Sequence, residues 1–175
     1  MIIQIKSHTD TKILYEIEAD TMRQAVEHAV KDGVSLYDVD LDGVDLSGAN
    51  LAGAHMPNAY LRGTNLRRAN LYGACMRNSD LCGTNFYNAD LRGADISESD
   101  LRGADLRANL YDADLRASNL RKAHINVMDV SPQDLRGVTL IGAHLNDSIT
   151  AKIPPIQILG TLWDIMIFDH KMRIG

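Results

Sequence analysis

The stretch SDLRGADLRANLYDADL, residues 99–115, sets the architecture, because its leucines recur at intervals of five, four and five residues. An interval of five suits neither regular structure. On a helix each leucine would move round by about 140°, and on a strand an odd step would place it on the opposite face. Each five-residue block must therefore contain a turn. We interpret the stretch as short extended segments separated by corners.

Each block has a small and a large residue two positions apart, as in Ala104 and Leu106. Residues two apart on a strand share a face, so both should point inward and the Asn or Asp between them outward. The remaining two residues form the corner. A type II turn requires a positive φ at its third residue, and Asn58 after Pro57 fits that position. Glycine occupies the same corner position in other blocks, at 43, 53, 63, 73, 83, 93 and 103.

A second periodicity gives the size of one coil. The large inward residue is not leucine at Met56, Met76 and Ile96, which are twenty residues apart. If each corner turns the chain by about a right angle, four blocks close one coil, and neighbouring coils pair like strands. We therefore predict that these three residues stack on one side of a four-sided tube. A neighbouring side should carry a buried ladder of Leu41, Leu61, Leu81, Leu101, Leu120 and Leu140.

The shorter interval in the opening stretch removes one corner residue between Leu106 and Ala108. Corners are exposed and tolerate changes of length more readily than core strands do. Two interpretations stay open: a neutral deletion absorbed by a turn, or a kink that shapes a partner site.

The blocks ANLYG, ADLRG and SDLRG resemble the A(D/N)LXX signature of the pentapeptide repeat family. The resemblance runs from about Val34 to Asp147. It implies an all-β fold, a right-handed quadrilateral parallel β-helix. The section 126–135 departs from the pattern, with Met128 and Gln133 at small inward positions and Pro132 at a corner. We expect a distorted or looped-out side there.

The two ends of the chain differ from the repeat. IIQIK and KILYEIE alternate like two strands, and TMRQAVEHAVKDG predicts a helix that begins after Thr21 and ends at Gly33. We predict a strand-strand-helix cap at 1–33, the β-helix at 34–147, and a strand-rich cap or homodimerisation segment at 148–175. The N-terminal extension also resembles those of pentapeptide repeat proteins carried by bacteriophages and prophages. Because the chain ends on MRIG directly after an apolar run, we expect that it could be truncated after Gly175.

Composition excludes several functional classes. The 175 residues include 18 basic and 23 acidic side chains, a net charge of -5, so we expect neither direct nucleic-acid binding nor a polybasic membrane patch. Two cysteines, Cys75 and Cys82, give no disulfide framework and favour a reducing compartment. The N-terminus lacks the pattern of a signal peptide, and no apolar run reaches membrane-spanning length. We expect a cytoplasmic protein.

Candidate catalytic and metal-binding groups are few. No nucleophile, base and carboxylate come together in the sequence, so we expect a protein that is not an enzyme and needs no cofactor. His124 and His144 should stack one coil apart, but two imidazoles alone fall short of the three or four ligands of a zinc site. We expect both cysteines to be inert surface thiols.

Two outward columns of alternating Arg and Tyr offer a candidate interaction surface. Arginine over an aromatic ring contributes about 0.5–1 kcal/mol at exposed sites, and both residue types favour protein interfaces. We therefore predict a rigid scaffold that binds a protein partner. The columns are Arg67, Tyr87 and Arg107, and Tyr72, Arg92 and Tyr111.

An alternative function follows from the family resemblance. Some pentapeptide repeat proteins linked to quinolone resistance imitate duplex DNA and occupy DNA gyrase. The acidic surface for this role would be one end of the tube without a nearby base, formed by Asp38, Asp40, Asp42 and Asp45. The repeats as a whole carry 15 acidic and 11 basic residues, a mixture that suits DNA mimicry poorly. The scaffold is therefore the favoured hypothesis.

Overall fold

The computed structural model describes residues 1–126 and 135–145. Strands β1 (Ile2–Lys6) and β2 (Ile13–Glu18) form an antiparallel hairpin, and helix α1 (Met22–Lys31) follows. Three short strands, β3 (Asp105–Leu106), β4 (His124–Ile125) and β5 (His144–Leu145), pair in parallel in the order β3-β4-β5. The expected C-terminal segment and nearly all of the irregular section at 126–135 lie outside the described residues.

Parallel pairing between residues twenty apart builds the rest of the molecule. Asp40 pairs with Tyr60, Tyr60 with Asp80, and Asp80 with Asp100. Equivalent pairs occur at every fifth position in between, so one coil contains four paired segments. The predicted period of twenty residues is confirmed. Because successive segments of one chain stack on themselves, the fold is a β-helix.

The core consists of inward ladders that run along the tube. The predicted leucine ladder is confirmed: Leu41 to Leu120 are fully buried in successive coils, and Leu140 is partly buried. Met56, Met76 and Ile96 are also fully buried and stacked. Phe86 is the one aromatic residue among the buried apolar side chains of the described part. The narrow core thus relies on aliphatic side chains.

The corners have the backbone geometry that the sequence predicted. The corner glycines have positive φ, as does Asn58 at 58°. A hydrogen bond of 3.1 Å from Val44 N to Leu41 O closes one such turn. One corner column consists mostly of residues other than glycine. They adopt the left-handed conformation, which is less favourable for them than for glycine. Its members are Asp38, Asn58, Asn78, Glu98 and Ala117.

The shortened block changes the pairing interval from twenty to nineteen residues. Asp90 pairs with Asn109 and Asp95 with Asp114, and Ala108 and Leu110 are buried directly after the shortened corner. The predicted place of the deletion is therefore confirmed. The extended segments on both sides stay in register.

The hairpin and helix at the N-terminus lie against the first coil. β1 continues onto it through hydrogen bonds from Asp40 N to Lys6 O (2.9 Å) and from His8 N to Asp38 O (2.8 Å). Buried Ala25, Val26 and Ala29 form the inner face of α1. No helix among the described residues is long and apolar enough to cross a membrane. The proposed boundaries of the three segments stay a prediction.

Helix α1 has defined stops at both ends. The side chain of Thr21 accepts a hydrogen bond from Gln24 N, whereas Gln24 Oε1 accepts from Asp20 N, one residue before the position of a standard capping box. At the other end Gly33 has a φ of 69°, and Val34 N donates to Ala29 O. This is the Schellman pattern, which satisfies the last carbonyl groups.

Candidate interaction surface

The two predicted columns flank one side of the tube. A single extended segment connects the corner at Arg67 to the corner at Tyr72, and the same arrangement recurs in the next two coils. We call residues 67–72, 87–92 and 107–111 the Tyr/Arg face. Its middle is a ladder that sequence reasoning had not singled out, although the twenty-residue period contains it. On the face the ladder consists of Asn70, Asp90 and Asn109, and it continues to Asn50 in the preceding coil.

Side-chain amides join this middle ladder between coils. Asn70 Nδ2 donates to Asn50 Oδ1 at 3.0 Å. The side-chain oxygens of Asn70, Asp90 and Asn109 each accept a backbone N–H from their own corner, as in Tyr72 N to Asn70 Oδ1 at 3.2 Å. These bonds fix the corners that carry the aromatic and basic side chains. The face is therefore a rigid surface.

In the first column, Tyr87 lies between two guanidinium groups. The guanidinium carbon of Arg67 is 5.5 Å from the centre of the Tyr87 ring, and that of Arg107 is 4.9 Å from it. Both distances allow cation–π attraction. Stacking orders the column, while a role in binding stays a prediction.

The second column leaves two tyrosines open to solvent. Arg92 lies 5.5 Å from the centre of the Tyr72 ring. Tyr72 is 56% exposed and Tyr111 is 61% exposed. Of these two rings, only that of Tyr72 lies within stacking distance of Arg92. The guanidinium group of Arg92 is held by hydrogen bonds to Asp90. Tyr111 is thus the most accessible aromatic group of the face.

Two arginines on the face, Arg92 and Arg107, are each held by an acidic residue two positions earlier. Arg92 makes two side-chain hydrogen bonds to Asp90, and Arg107 makes two to Asp105; the shortest contact of each pair is 2.6 Å. These hydrogen bonds lower the pKa of both carboxyl groups and raise the pKa of both guanidinium groups. The arginines are therefore oriented before any partner arrives.

The same pairing occurs elsewhere on the tube. Arg102 contacts Asp100 at 2.6 Å, and Arg116 contacts Asp114 at 2.5 Å. The spacing of Asp and Arg in the DLR blocks could have revealed these pairs from the sequence, since both residues lie on the same side of an extended segment. Their consequence is that four carboxylates of the repeats, those of Asp90, Asp100, Asp105 and Asp114, are neutralised locally.

Of the four carboxylates predicted to form an acidic end, Asp40, Asp42 and Asp45 are exposed and Asp38 is not, so the acidic surface stays a prediction without Asp38. Asp38 is only 7% exposed, and its Oδ2 accepts hydrogen bonds from Ser7 Oγ and from the backbone and hydroxyl of Thr9. Asp40 lies 3.2 Å from His8 Nδ1, whose ring stacks on Tyr60 at 3.6 Å between centroids. The hairpin turn has folded over this end, a contact between distant residues that the repeat pattern does not encode.

The other two carboxylates also have structural partners. Asp42 Oδ1 accepts from Arg62 N at 2.7 Å. Asp45 Oδ1 accepts from Ser47 N at 3.0 Å and from Asn65 Nδ2 at 2.9 Å. Hydrogen bonds from Ser47 are the main reason why the pKa of Asp45 is lowered, and the charge of Arg23 contributes. These groups act within the fold as well as on its surface.

The remaining candidates carry little chemistry. His124 and His144 stack as predicted, with ring centroids 4.6 Å apart. Burial raises the pKa of the Cys82 thiol to about 11, and a hydrogen bond with Asp100 adds to the effect. A thiol of this kind is a poor nucleophile near neutral pH.

Comparison with known proteins agrees with the geometry of the coils. Residues 45–81 and 77–107 match the family model for pentapeptide repeats, with eight copies. Residues 45–107 of this chain are pentapeptide repeats. Its fold is a right-handed β-helix. A comparison with curated protein sequences found no match.

Solved structures of pentapeptide repeat proteins resemble part of the chain. QnrB1, a plasmid-mediated fluoroquinolone resistance protein, is 23% identical over 61% of this chain and 56% of its own, with a TM-score of 0.39. Rfr23 from the cyanobacterium Cyanothece 51142 is 29% identical over 59% and 61%, with a TM-score of 0.30. A pentapeptide repeat protein of the Arabidopsis thaliana thylakoid lumen is 34% identical over 59% of each chain, with a TM-score of 0.25. The matched region therefore spans less than two thirds of each of these proteins.

Proposed function

We propose that this pentapeptide repeat protein is a non-enzymatic scaffold, a right-handed quadrilateral β-helix that binds a protein partner through the Tyr/Arg face. The observation that carries the proposal is the combination of exposed Tyr72 and Tyr111 with arginines already oriented by Asp90 and Asp105. Tyrosine and arginine dominate the binding energy of many protein interfaces. A face that is rigid before binding also loses little conformational entropy on association.

The shortened corner lies on the same face. The residue missing after Arg107 belongs to the corner column of Arg67 and Tyr87. This position supports the interpretation that the deletion shapes the partner site. It sets Ala108 directly behind Arg107 and so changes the outline of the face at its third coil.

DNA mimicry is the alternative, and the charges described above disfavour it. Mimicry needs a strong, even negative potential. Here four Asp-Arg pairs lie within residues 90–116, and Asp38 is buried under the hairpin turn. Such a surface would meet the positive DNA-binding surface of gyrase with weak attraction at most.

Affinity capture from the source cell, followed by mass spectrometry, tests the scaffold. The immobilised double variant Tyr72→Ala/Tyr111→Ala should lose a protein that the unmodified chain retains. Arg77→Ala, at an exposed corner outside the Tyr/Arg face, is the matched control and should retain it. Equal retention by the face variant and the control would contradict the assignment of this face.

A gyrase supercoiling assay separates the two functions. We expect the unmodified protein to leave supercoiling unchanged. DNA mimicry would be favoured over the scaffold function by potent inhibition that falls steeply with added salt. That inhibition should also disappear in the triple variant Asp40→Asn/Asp42→Asn/Asp45→Asn. Asp38 is left intact in this variant because its carboxylate holds the hairpin turn.

A further inference from the structure

A groove of about 440 Å³ lies where the hairpin turn meets the first coils. The residues that line it include Tyr37, Asp38, Tyr60 and Asp80, and we call it the Tyr37–Tyr60 groove. In a coil of four paired segments, the segment that contains Tyr60 is two segments away from the one that contains Asn70. The groove is therefore on the side of the tube opposite the Tyr/Arg face, and it is a separate surface.

Asp38 turns one free carboxylate oxygen into this groove. The hydrogen bonds that its carboxylate accepts, from Ser7 and Thr9, all go to Oδ2, and within residues 1–126 and 135–145 no donor reaches Oδ1. Asp38 as a whole is only 7% exposed. In the same part of the chain every fully buried side-chain oxygen and nitrogen has a partner, so Oδ1 must reach open space. The groove is the open space that Asp38 lines.

The free oxygen is negatively charged near neutral pH. Burial raises the pKa of Asp38, but the hydrogen bonds from Thr9 and Ser7 outweigh it and leave the pKa below 3.8. A nearly buried anionic oxygen without a donor is costly unless a ligand supplies one. The groove therefore favours a ligand that carries both positive charge and N–H groups.

The other polar groups of the groove add acceptors. Asn78 Nδ2 donates to Asn58 Oδ1 at 2.7 Å, and Asn58 Nδ2 donates to the hydroxyl of Tyr37 at 2.6 Å. Among the described residues this chain leaves Asn78 Oδ1 without a donor. Asp80 supplies a second carboxylate. The oxygens of Asp38, Asp80 and Asn78 thus offer three acceptor groups, two of them charged.

The protein's own cations leave these acceptors available. Arg62 Nη1 lies 3.5 Å from Asp80 Oδ2, and 59% of the Arg62 side chain is exposed. A pair this long and this exposed contributes little. His8 is bonded to Asp40 at 3.2 Å, and its ring stacks on that of Tyr60. No other aromatic ring and no guanidinium group of the described residues stacks on Tyr60.

We propose that the Tyr37–Tyr60 groove binds a guanidinium cation, the side chain of an arginine in another polypeptide. Guanidinium is planar and has five N–H donors, so it can stack on a tyrosine ring while it donates to carboxylate oxygens. The ring of Tyr37 is available for this contact, since Tyr37 is 53% exposed. An ammonium group lacks the flat surface, and a quaternary ammonium group lacks the donors. The groove is open to solvent, which leaves room for the rest of the polypeptide.

NMR titration of the full chain with N-acetyl-arginine amide tests the proposal. The backbone amide signals of Tyr37 and Asp38 should shift, with a Kd of about 0.1–1 mM at low salt. Asp80→Asn should weaken binding about fivefold, because it removes a charge but keeps the oxygen that accepts from Cys82 N. Asp95→Asn, the same change at an outward position on another side of the tube, is the matched control. Its Kd should stay within about twofold of the original.

Substitution of Tyr37 separates the ring from its hydroxyl. Tyr37→Leu should weaken binding about fivefold, whereas Tyr37→Phe keeps the ring and should stay within about twofold. Thermal unfolding of each variant shows that the fold is intact. Tetramethylammonium, which has no N–H, should bind at least about tenfold more weakly than the amide. Free arginine should also bind more weakly than the amide, because Asp38 and Asp80 repel its own carboxylate.

The absence of shifts at Tyr37 and Asp38 up to about 20 mM amide would overturn the proposal. Equal losses in Asp80→Asn and Asp95→Asn would overturn it as well, since they would show only general attraction to a chain with a net charge of -5. Tetramethylammonium that binds as tightly as the amide would exclude guanidinium recognition. Tighter binding of free arginine than of the amide would exclude a polypeptide as the source.

Discussion

Replacing Asp38 by glycine tests how the N-terminal hairpin is fixed to the first coil. Asp38 occupies a corner position with a φ of 60°. Its carboxylate accepts hydrogen bonds from Ser7 Oγ at 2.7 Å and Thr9 N at 3.1 Å, and also from the Thr9 hydroxyl. Glycine keeps the backbone conformation and removes the acceptor. The substitution therefore isolates the role of the carboxylate.

The expected loss is about 2–3 kcal/mol. Removing hydrogen bonds to a charged group costs about 1.5–3 kcal/mol, and buried Ser7 is left without its acceptor at a further cost of about 1 kcal/mol. Relief of the left-handed conformation returns about 1 kcal/mol. Because a solenoid unfolds partly by local units, the loss should appear first in the cap.

Urea denaturation measures the free energy of unfolding, and amide hydrogen exchange of β1 and β2 locates the loss. Glu98→Gly is the matched control, since Glu98 has the same corner conformation with an exposed side chain. It should stabilise the protein by about 0.5–1 kcal/mol, because only the relief of backbone strain remains. Equal changes in the two variants would refute the reasoning.

The effect of Asp38→Gly should also depend on pH. Burial raises the pKa of Asp38, but the hydrogen bonds from Thr9 and Ser7 outweigh it, and the net result is a pKa below the usual 3.8. A lowered pKa in the folded state gives stability that is complete above 3.8 and lost as the pH falls through the lower value. The difference between the unmodified protein and the variant should thus shrink as the pH falls below 3.8. A difference that stays constant would contradict the proposed ionised acceptor.

Three further predictions concern the tube. Leu81→Ala should lower the free energy of unfolding by about 2–5 kcal/mol, because the narrow core cannot close the cavity. Urea denaturation measures this loss, and a loss below about 1 kcal/mol would contradict the packed ladder. Inserting glycine between Arg107 and Ala108 should change stability by less than about 1 kcal/mol yet weaken partner capture, since corners tolerate added length but the face changes shape; a large loss of stability would show that the short corner is a requirement of the fold. Deleting residues 1 to 30 should cause aggregation, measured by light scattering, because the first coil loses its cover; a soluble monomer would show that the cap is dispensable.

The regular part of the fold could be predicted because each block contains the residues that determine its own conformation. Leu61 and Leu81 occupy equivalent inward positions, and Gly63 and Gly83 mark equivalent corners, so a single sequence contains many repeats of the same information. The place of the deletion follows from the same count. Backbone pairing between coils then makes the period of twenty residues visible in the structure.

Contacts that join the repeat to other segments could not be predicted in this way. Asp38 reads as one more acidic corner residue, yet its carboxylate is buried by Ser7 and Thr9, about thirty residues earlier in the chain. His8 over Tyr60 is a contact of the same type. No periodic pattern connects the hairpin turn to the first coil, because each contact occurs once. The burial of Asp38 could not be predicted for that reason.

Stability and recognition depend on different residues of this tube, and that division makes the proposed function testable. Inward leucines and corner residues fix the coils, whereas the exposed rings of Tyr72 and Tyr111 contribute little to the core. Substituting these tyrosines should therefore leave the free energy of unfolding within about 0.5 kcal/mol of the original. A partner lost under those conditions must have contacted the face itself. If the free energy of unfolding changed by several kcal/mol instead, loss of the partner would result from a damaged scaffold. The Tyr/Arg face would then have a structural role.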